Sequence, residues 1–260
     1  MKKLFLQGKH HTMKGFAYIL FIIISLPLSG QITKSLPSFP LNLMGFTPKD
    51  TFVTIRDTDP ARQKMEIRNA NGVILLRGEI LREKKEGVWR EYNNSGVITK
   101  IEEYKSGQKN GASLTFSFIG QIQTDATYKN DSLDGTKLSF LTNGRIKMQE
   151  NYINGKLNGP YKAYYDDQKP QEESFYKFGL RDSISKWYFK TGKPSVEYHY
   201  VHGFLDGPSF EFYEDGTLKK EGKYKNGNEE GEWKEYEKGN LVKRIIYKGG
   251  KVIKEISVKK

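Results

Sequence analysis

Asn154-Gly155-Lys156-Leu157-Asn158-Gly159 holds the key to the chain, because its last glycine belongs to a series. Steps of 24 residues from Gly87 reach Gly111, Gly135, Gly159, Ser183, Gly207 and Gly231, so six of seven marks are glycine. Seven residues ahead of each following mark stands a tyrosine: Tyr104, Tyr128, Tyr152, Tyr176, Tyr200 and Tyr224. A period of this size means stacked supersecondary units, each too small to bury its own apolar face.

Within one unit the fifth residue after the mark is always aromatic, reading Tyr92, Phe116, Phe140, Tyr164, Tyr188, Phe212 and Tyr236. Four residues later comes glycine in most copies, with Gln168 in its place in the fourth and Gly239 one residue early in the last. Pairs such as Ser95-Gly96, Asn143-Gly144 and Asp215-Gly216 read as tight hairpin turns, because glycine takes positive φ at no steric cost. A second strand follows, with Ile98, Ile122, Ile146, Leu218 and Val242 in one column and Pro170 and Pro194 interrupting it. The tyrosine lies six residues on, and an even separation puts both columns on one face of an extended strand. The opposite face is richer in Lys, Glu and Thr.

The second turn reads as the longer one, as in residues 154–159. Immediately before each mark stands Glu86, Asn110, Asp134, Asn158, Asp182, Asp206 or Glu230. An acidic binding rail is one reading of this column. Turn chemistry is the stronger one, since Asn and Asp before Gly tolerate left-handed backbone and bond locally. The fold class expected is all-β: an elongated antiparallel meander of stacked β-hairpin repeats with a 24-residue period. Residues 63–86 read as a degenerate leading repeat, 87–250 as seven repeats, and 251–260 as a basic C-terminal edge strand whose lysines discourage edge-to-edge pairing.

Units such as Tyr224-Lys225-Asn226-Gly227 followed by Gly231-Glu232-Trp233-Lys234-Glu235-Tyr236 resemble MORN repeat variants, and are similar to the YwqK-like antitoxin repeat proteins. The resemblance covers about residues 87–250. It implies hairpin arrays that act as scaffolds, dimerisation surfaces or modules attached to separate enzymes, and its antitoxin branch implies an immunity role beside a toxin.

The N-terminus carries Lys2, Lys3, Lys9 and Lys14, then an apolar run over 16–28, then Ser29-Gly30. That is the three-part layout of a signal peptide over residues 1–30, with cleavage near Gly30-Gln31. An apolar run of thirteen residues falls short of the roughly 20 that a spanning helix needs. An uncleaved anchor is the alternative, and Met13 as well as Met1 would serve as a start. Export to a periplasmic or extracellular location is expected. There is no cysteine, hence no disulfide and no lipidation cysteine. Loss of residues 1–30 lowers the net charge from +12 to +8, with Lys and Arg dispersed among acids, and nucleic acid is not an expected partner. Residues 31–62, with Pro37, Pro40, Pro48 and Pro60, read as a linker with room for one short strand at the apolar run 52–55.

Catalysis has little to draw on. His199 and His202 are the histidines left after cleavage, Asp166-Asp167 and Glu172-Glu173 are adjacent carboxylates beside an irregular turn, and there is no thiol. No catalytic, cofactor or metal site is expected, and the acidic pairs read as solvated turn residues. Aromatics are the surplus. Trp89, Tyr161, Trp187 and Trp233 stand beyond the regular columns and are the candidate interaction surface. Two roles compete for them: stacking on a cell-envelope polysaccharide or peptidoglycan, or ladders between neighbouring strands that replace a missing second layer. The function expected is an exported, noncatalytic repeat scaffold for a protein partner, with self-association and an envelope polymer as the alternatives.

Overall fold

In the computed structural model, which describes residues 51–56, 59 and 61–258, every strand pairs antiparallel with its neighbours in sequence. The expected signal segment and most of the expected linker lie outside the described residues. Strand Thr51–Arg56 pairs with Arg62–Arg68, that strand with Ile74–Leu81, and so on by hairpins to Asn240–Lys248 and the final strand Lys251–Ser257. The result is one open meander, all-β among the described residues.

Both fixed columns of the repeat meet in this register. Gly87 lies directly across from Tyr104, Gly111 from Tyr128, Gly135 from Tyr152, Gly159 from Tyr176, Ser183 from Tyr200 and Gly207 from Tyr224. In the last repeat Gly231 faces Tyr247. A bulky ring on one strand is thus always opposite a minimal residue on the other.

The two turns are the reverse of the expected pair. At the first, the Asn93 N–H donates to Val97 O at 2.9 Å and the Gly96 N–H to Asn93 O at 2.9 Å, closing a three-residue loop. Only its final residue is left-handed, with φ 77° at Gly96 and 71° at Gln168 in the fourth copy. The second turn has just two residues, both left-handed: Asn154 and Gly155 have φ of 49° and 75°, as a type I′ hairpin requires. Residues 156, 157 and 159 are not turn but strand, and the mark sits at the bulge that interrupts it at Asn158. There Leu157 pairs with Tyr152 while Lys162 pairs with Gln149, so five steps on one strand answer three on the other. Gly159, at φ 114°, takes up the extra length where a side chain would be strained. A further register shift follows each three-residue turn, as between Glu91 and Tyr92, and interrupts the even count from Ile98 to Tyr104.

A single sheet still has an interior. Most of its buried side chains lie in one row that crosses the strands at mid-length: Trp89 opposite Glu102, Ser113 opposite Ala126, Ser185 opposite Tyr198, and Trp233 opposite Ile245. Neighbouring strands are only about 4.8 Å apart, so each ring in this row has a small residue on at least one side. Ser185 and Ser209 flank Tyr198, Ser174 lies across from Tyr161, and Gly222 neighbours Trp233. At the N-terminal end Met65, Ile67, Leu76 and Ile80 join Trp89 in the most apolar cluster, with Tyr104 packed against it. Burying each of these large side chains contributes about 1.5–3 kcal/mol.

Candidate interaction surface

The four aromatic residues singled out from the sequence share one face with the tyrosine column, and they interlock with it. Trp89 meets Tyr104 edge-on at 6.5 Å between ring centroids, and Tyr161 meets Tyr176 at 5.7 Å. A continuous ladder runs from Trp187 to Tyr198, Tyr224, Trp233 and Tyr247, every step edge-to-face at 5.0–6.1 Å. Such pairs contribute about 0.5–1.5 kcal/mol each beyond the area they bury. Trp89 and Trp233 are only 2% and 1% exposed, so neither presents a ring face to a ligand. Tyr161 and Trp187 are half-buried.

Cations cover this ladder. Lys85 Nζ lies 4.6 Å from the ring centroids of both Trp89 and Tyr104, and burial pushes its ammonium below the usual lysine range. One repeat on, Lys109 is 2.6 Å from the buried carboxylate of Glu102. Burial works against both charges, but the Lys109 and Tyr104 hydrogen bonds outweigh it at Glu102 and hold that carboxyl low. The same bond raises Lys109. In the corresponding column Arg181 contacts Glu172 at 2.6 Å and Ser185 Oγ at 3.4 Å, and lies over Trp187 and Tyr176 at 4.9 and 5.1 Å. Sequence reasoning missed this cluster. Its signal was a cation two residues before the mark, at Lys85, Lys109 and Arg181.

The acidic column serves the stack itself. Glu86 accepts the Ser106 N–H at 2.7 Å, Asp134 the Asn154 N–H at 3.1 Å, Asn158 the Phe178 N–H at 3.1 Å, and Asp206 the Asn226 N–H at 3.2 Å. Beside each, the second turn residue donates to a main-chain carbonyl one repeat back, as Gly155 N–H does to Leu133 O at 2.8 Å. The turns at Ser106, Asn154, Phe178, His202, Asn226 and Gly249 are each latched twice to the preceding repeat. A structural role for the column is right, but the reason is different: these residues lie in strands or at the bulge between strand segments, and accept from a neighbour's turn.

The remaining candidates do not converge. His202 is in a two-residue turn at φ 51°, and His199 is a strand residue whose Nε2 is 4.0 Å from Glu197. Glu172 and Glu173 are not solvated turn residues: Glu172 holds Arg181, while Glu173 accepts from Tyr188 Oη at 2.8 Å on the other face. Asp166 and Asp167 are in a three-residue turn, where Asp167 accepts the Lys169 N–H at 3.2 Å. They line an open depression with Lys147, Tyr164, Tyr165 and Lys190. Among the described residues no three His, Asp or Glu side chains are placed to hold a metal. Exposed apolar side chains stand elsewhere: Phe118 and Ile119 on a three-residue turn, Val252, Ile253 and Ile256 on the final strand, and a group along the two-residue turns near Phe178 and Phe204.

The model of a family described as MORN repeat variant matches residues 85–106, 181–202 and 205–226. No curated protein matches the chain. Each match starts two residues before a mark and ends at or just before the next two-residue turn, so it encloses the mark, the aromatic at the fifth place and the tyrosine. Three of the hairpin repeats of this chain are thus MORN repeat variants by sequence.

Proposed function

We propose that the chain is an exported, noncatalytic scaffold whose long sheet binds another protein. The observation that carries this reading is where the ionisable groups go: Glu102, Glu150, Glu172 and the acidic column are engaged in holding strands and repeats together, across a sheet that stays open along both turn edges. The repeat family is itself a noncatalytic module. Repeated surfaces of this kind suit extended recognition. An antitoxin-type role is one form of the reading, with a toxin as the partner.

A polymer-binding role rests on ring faces, and burial of Trp89 and Trp233 leaves Tyr161 and Trp187 to carry it. Export rests on the three-part N-terminal segment. Crosslinking in the cells that make the protein, followed by mass spectrometry, tests both. One recurrent protein adduct on exported chain is expected. Adducts to wall polymer alone, or chain confined to the cytoplasm, would contradict the proposal.

A further inference from the structure

Three consecutive two-residue turns break the rule that the other repeats obey. Six residues before the mark, Lys105, Lys129, Lys177 and Lys225 alternate with Ile153 and Val201. Three before it, Gln108, Ser132, Lys156 and Asn228 give way to Leu180 and Phe204. At the first turn residue, Ser106, Asn130, Asn154 and Asn226 give way to Phe178 and His202. These substitutions are not covered by the fold. Phe178 is 70% exposed and Phe204 63%, and Ile153, Leu180 and Val201 are exposed beside them.

Cross-strand pairing gathers them into one patch. Val201 pairs with Phe204 and Lys177 with Leu180, while Leu180 Cδ2 lies 3.3 Å from where a β-carbon on Gly203 would stand. Phe178 is held at φ 52°, a left-handed conformation that bulky side chains avoid. A strained, solvent-exposed phenylalanine where sister repeats place Ser or Asn is kept at a cost to stability, and such strain collects at functional sites.

Charge identifies what covers the patch. None of these three columns carries a carboxylate between Lys129 and Asn228, whereas Lys129, Lys156, Lys177 and Lys225 are interleaved with the apolar residues. The acids beside these turns, Asp134, Asp182 and Asp206, accept from the amides of Asn154, His202 and Asn226. A second copy laid on the patch would set lysine against lysine. A bilayer fits less well than a polypeptide, because Lys177 shares its column with Ile153 and Val201 and would enter the hydrocarbon at their depth.

We propose that the two-residue-turn edge of the third to fifth repeats, centred on Phe178 and Phe204, docks an acidic segment of a partner protein that intersperses carboxylates with apolar side chains. This rests on the reading that the chain binds protein, and it supplies the surface and the partner's chemistry.

The test is fluorescence anisotropy of the whole chain with three probes: a labelled peptide alternating Leu and Glu, its Leu and Lys counterpart, and vesicles of phosphatidylglycerol and phosphatidylcholine. The acidic peptide is expected to bind in a salt-sensitive manner. The double variant Phe178→Asn, Phe204→Asn, carrying residues that sister repeats hold there, should lose about tenfold or more in affinity while melting no lower than the parent. No binding of the acidic peptide, equal binding by the variant, or preference for the basic peptide or the vesicles would overturn the proposal. In-cell crosslinking separates the two readings. A partner retained by the variant removes this surface and leaves the scaffold reading, whereas no partner for either chain removes the scaffold reading.

Discussion

Gly222 lies against the indole of Trp233 so closely that a β-carbon added to it would stand 2.0 Å from Trp233 Cδ2. Six repeat lengths earlier Gly78 has the same relation to Trp89, at 2.2 Å. Neither glycine has positive φ, so what these positions require is space. Where the tryptophan is absent the restriction lapses, and the equivalent positions hold Glu102, Ala126, Glu150, Ser174 and Tyr198.

Gly222→Ala and Gly78→Ala should therefore each destabilise the chain by about 1–3 kcal/mol through overpacking. Urea unfolding measures this. Trp233→Leu in the Gly222→Ala background should recover part of the loss. A Gly222→Ala change within about 0.5 kcal/mol of the parent would mean that the indole has room to move, contrary to the close packing typical of interiors.

Ser183 occupies the mark column at φ 66°, where the other six repeats have glycine. Its left-handed backbone costs about 1–2 kcal/mol, and glycine returns part of that as unfolded-chain entropy. Ser183→Gly is expected to stabilise by about 0.5–1 kcal/mol in the same urea assay. A destabilised variant would show that the serine side chain, not the bulge, governs this position.

The latch between repeats makes a local prediction. Asp134→Ala and Asp206→Ala remove the acceptors of the Asn154 and Asn226 amides, and each should lower stability by about 0.5–1.5 kcal/mol. Hydrogen exchange should quicken at the turn one repeat downstream. Faster exchange spread evenly over all turns, with no local focus, would argue against a nearest-neighbour latch.

Alkaline pH should loosen the sheet. Burial, followed by hydrogen bonds to Glu102 and Glu150, raises Tyr104 and Tyr152 above the ordinary value of 10.0. Tyr161 and Tyr188 are each pushed up to about 12, chiefly by burial. A pKa raised on folding gives stability that is complete below the unfolded value and lost as pH rises through the folded one. Unfolding free energy should fall from about pH 10 to pH 12, and Tyr188→Phe should reduce the slope. Stability that stays level over this window would contradict the placement of these hydroxyls.

Much of this architecture could be read directly from the residues. The 24-residue spacing, the hairpins and the tyrosine column all follow from period and turn chemistry, and the two fixed columns prove to face each other, as at Gly159 and Tyr176. The turns were harder to sort, because both kinds end in glycine. What separates them is whether the preceding residue is also left-handed, as Asn154 is and Ser95 is not. Facing was obscured for a related reason: each bulge shifts the alternation, so the burial of Trp89 and Trp233 could not be counted out along a strand. The Arg181 cluster needs three strands brought together. By contrast, the exposed patch was legible in principle, since Phe178 departs from its own column in the sequence.

The most direct test of the account replaces Ile153→Lys, Phe178→Asn, Leu180→Ser and Phe204→Asn together, each with a residue drawn from a sister repeat, and compares this chain with the parent for partner capture by in-cell crosslinking and for melting temperature. The account expects a folded sheet that melts at or above the parent temperature and no longer captures the parent's protein adduct. A chain so altered that still forms the same adduct would contradict it, because the surface that departs from the repeat would then have no part in binding.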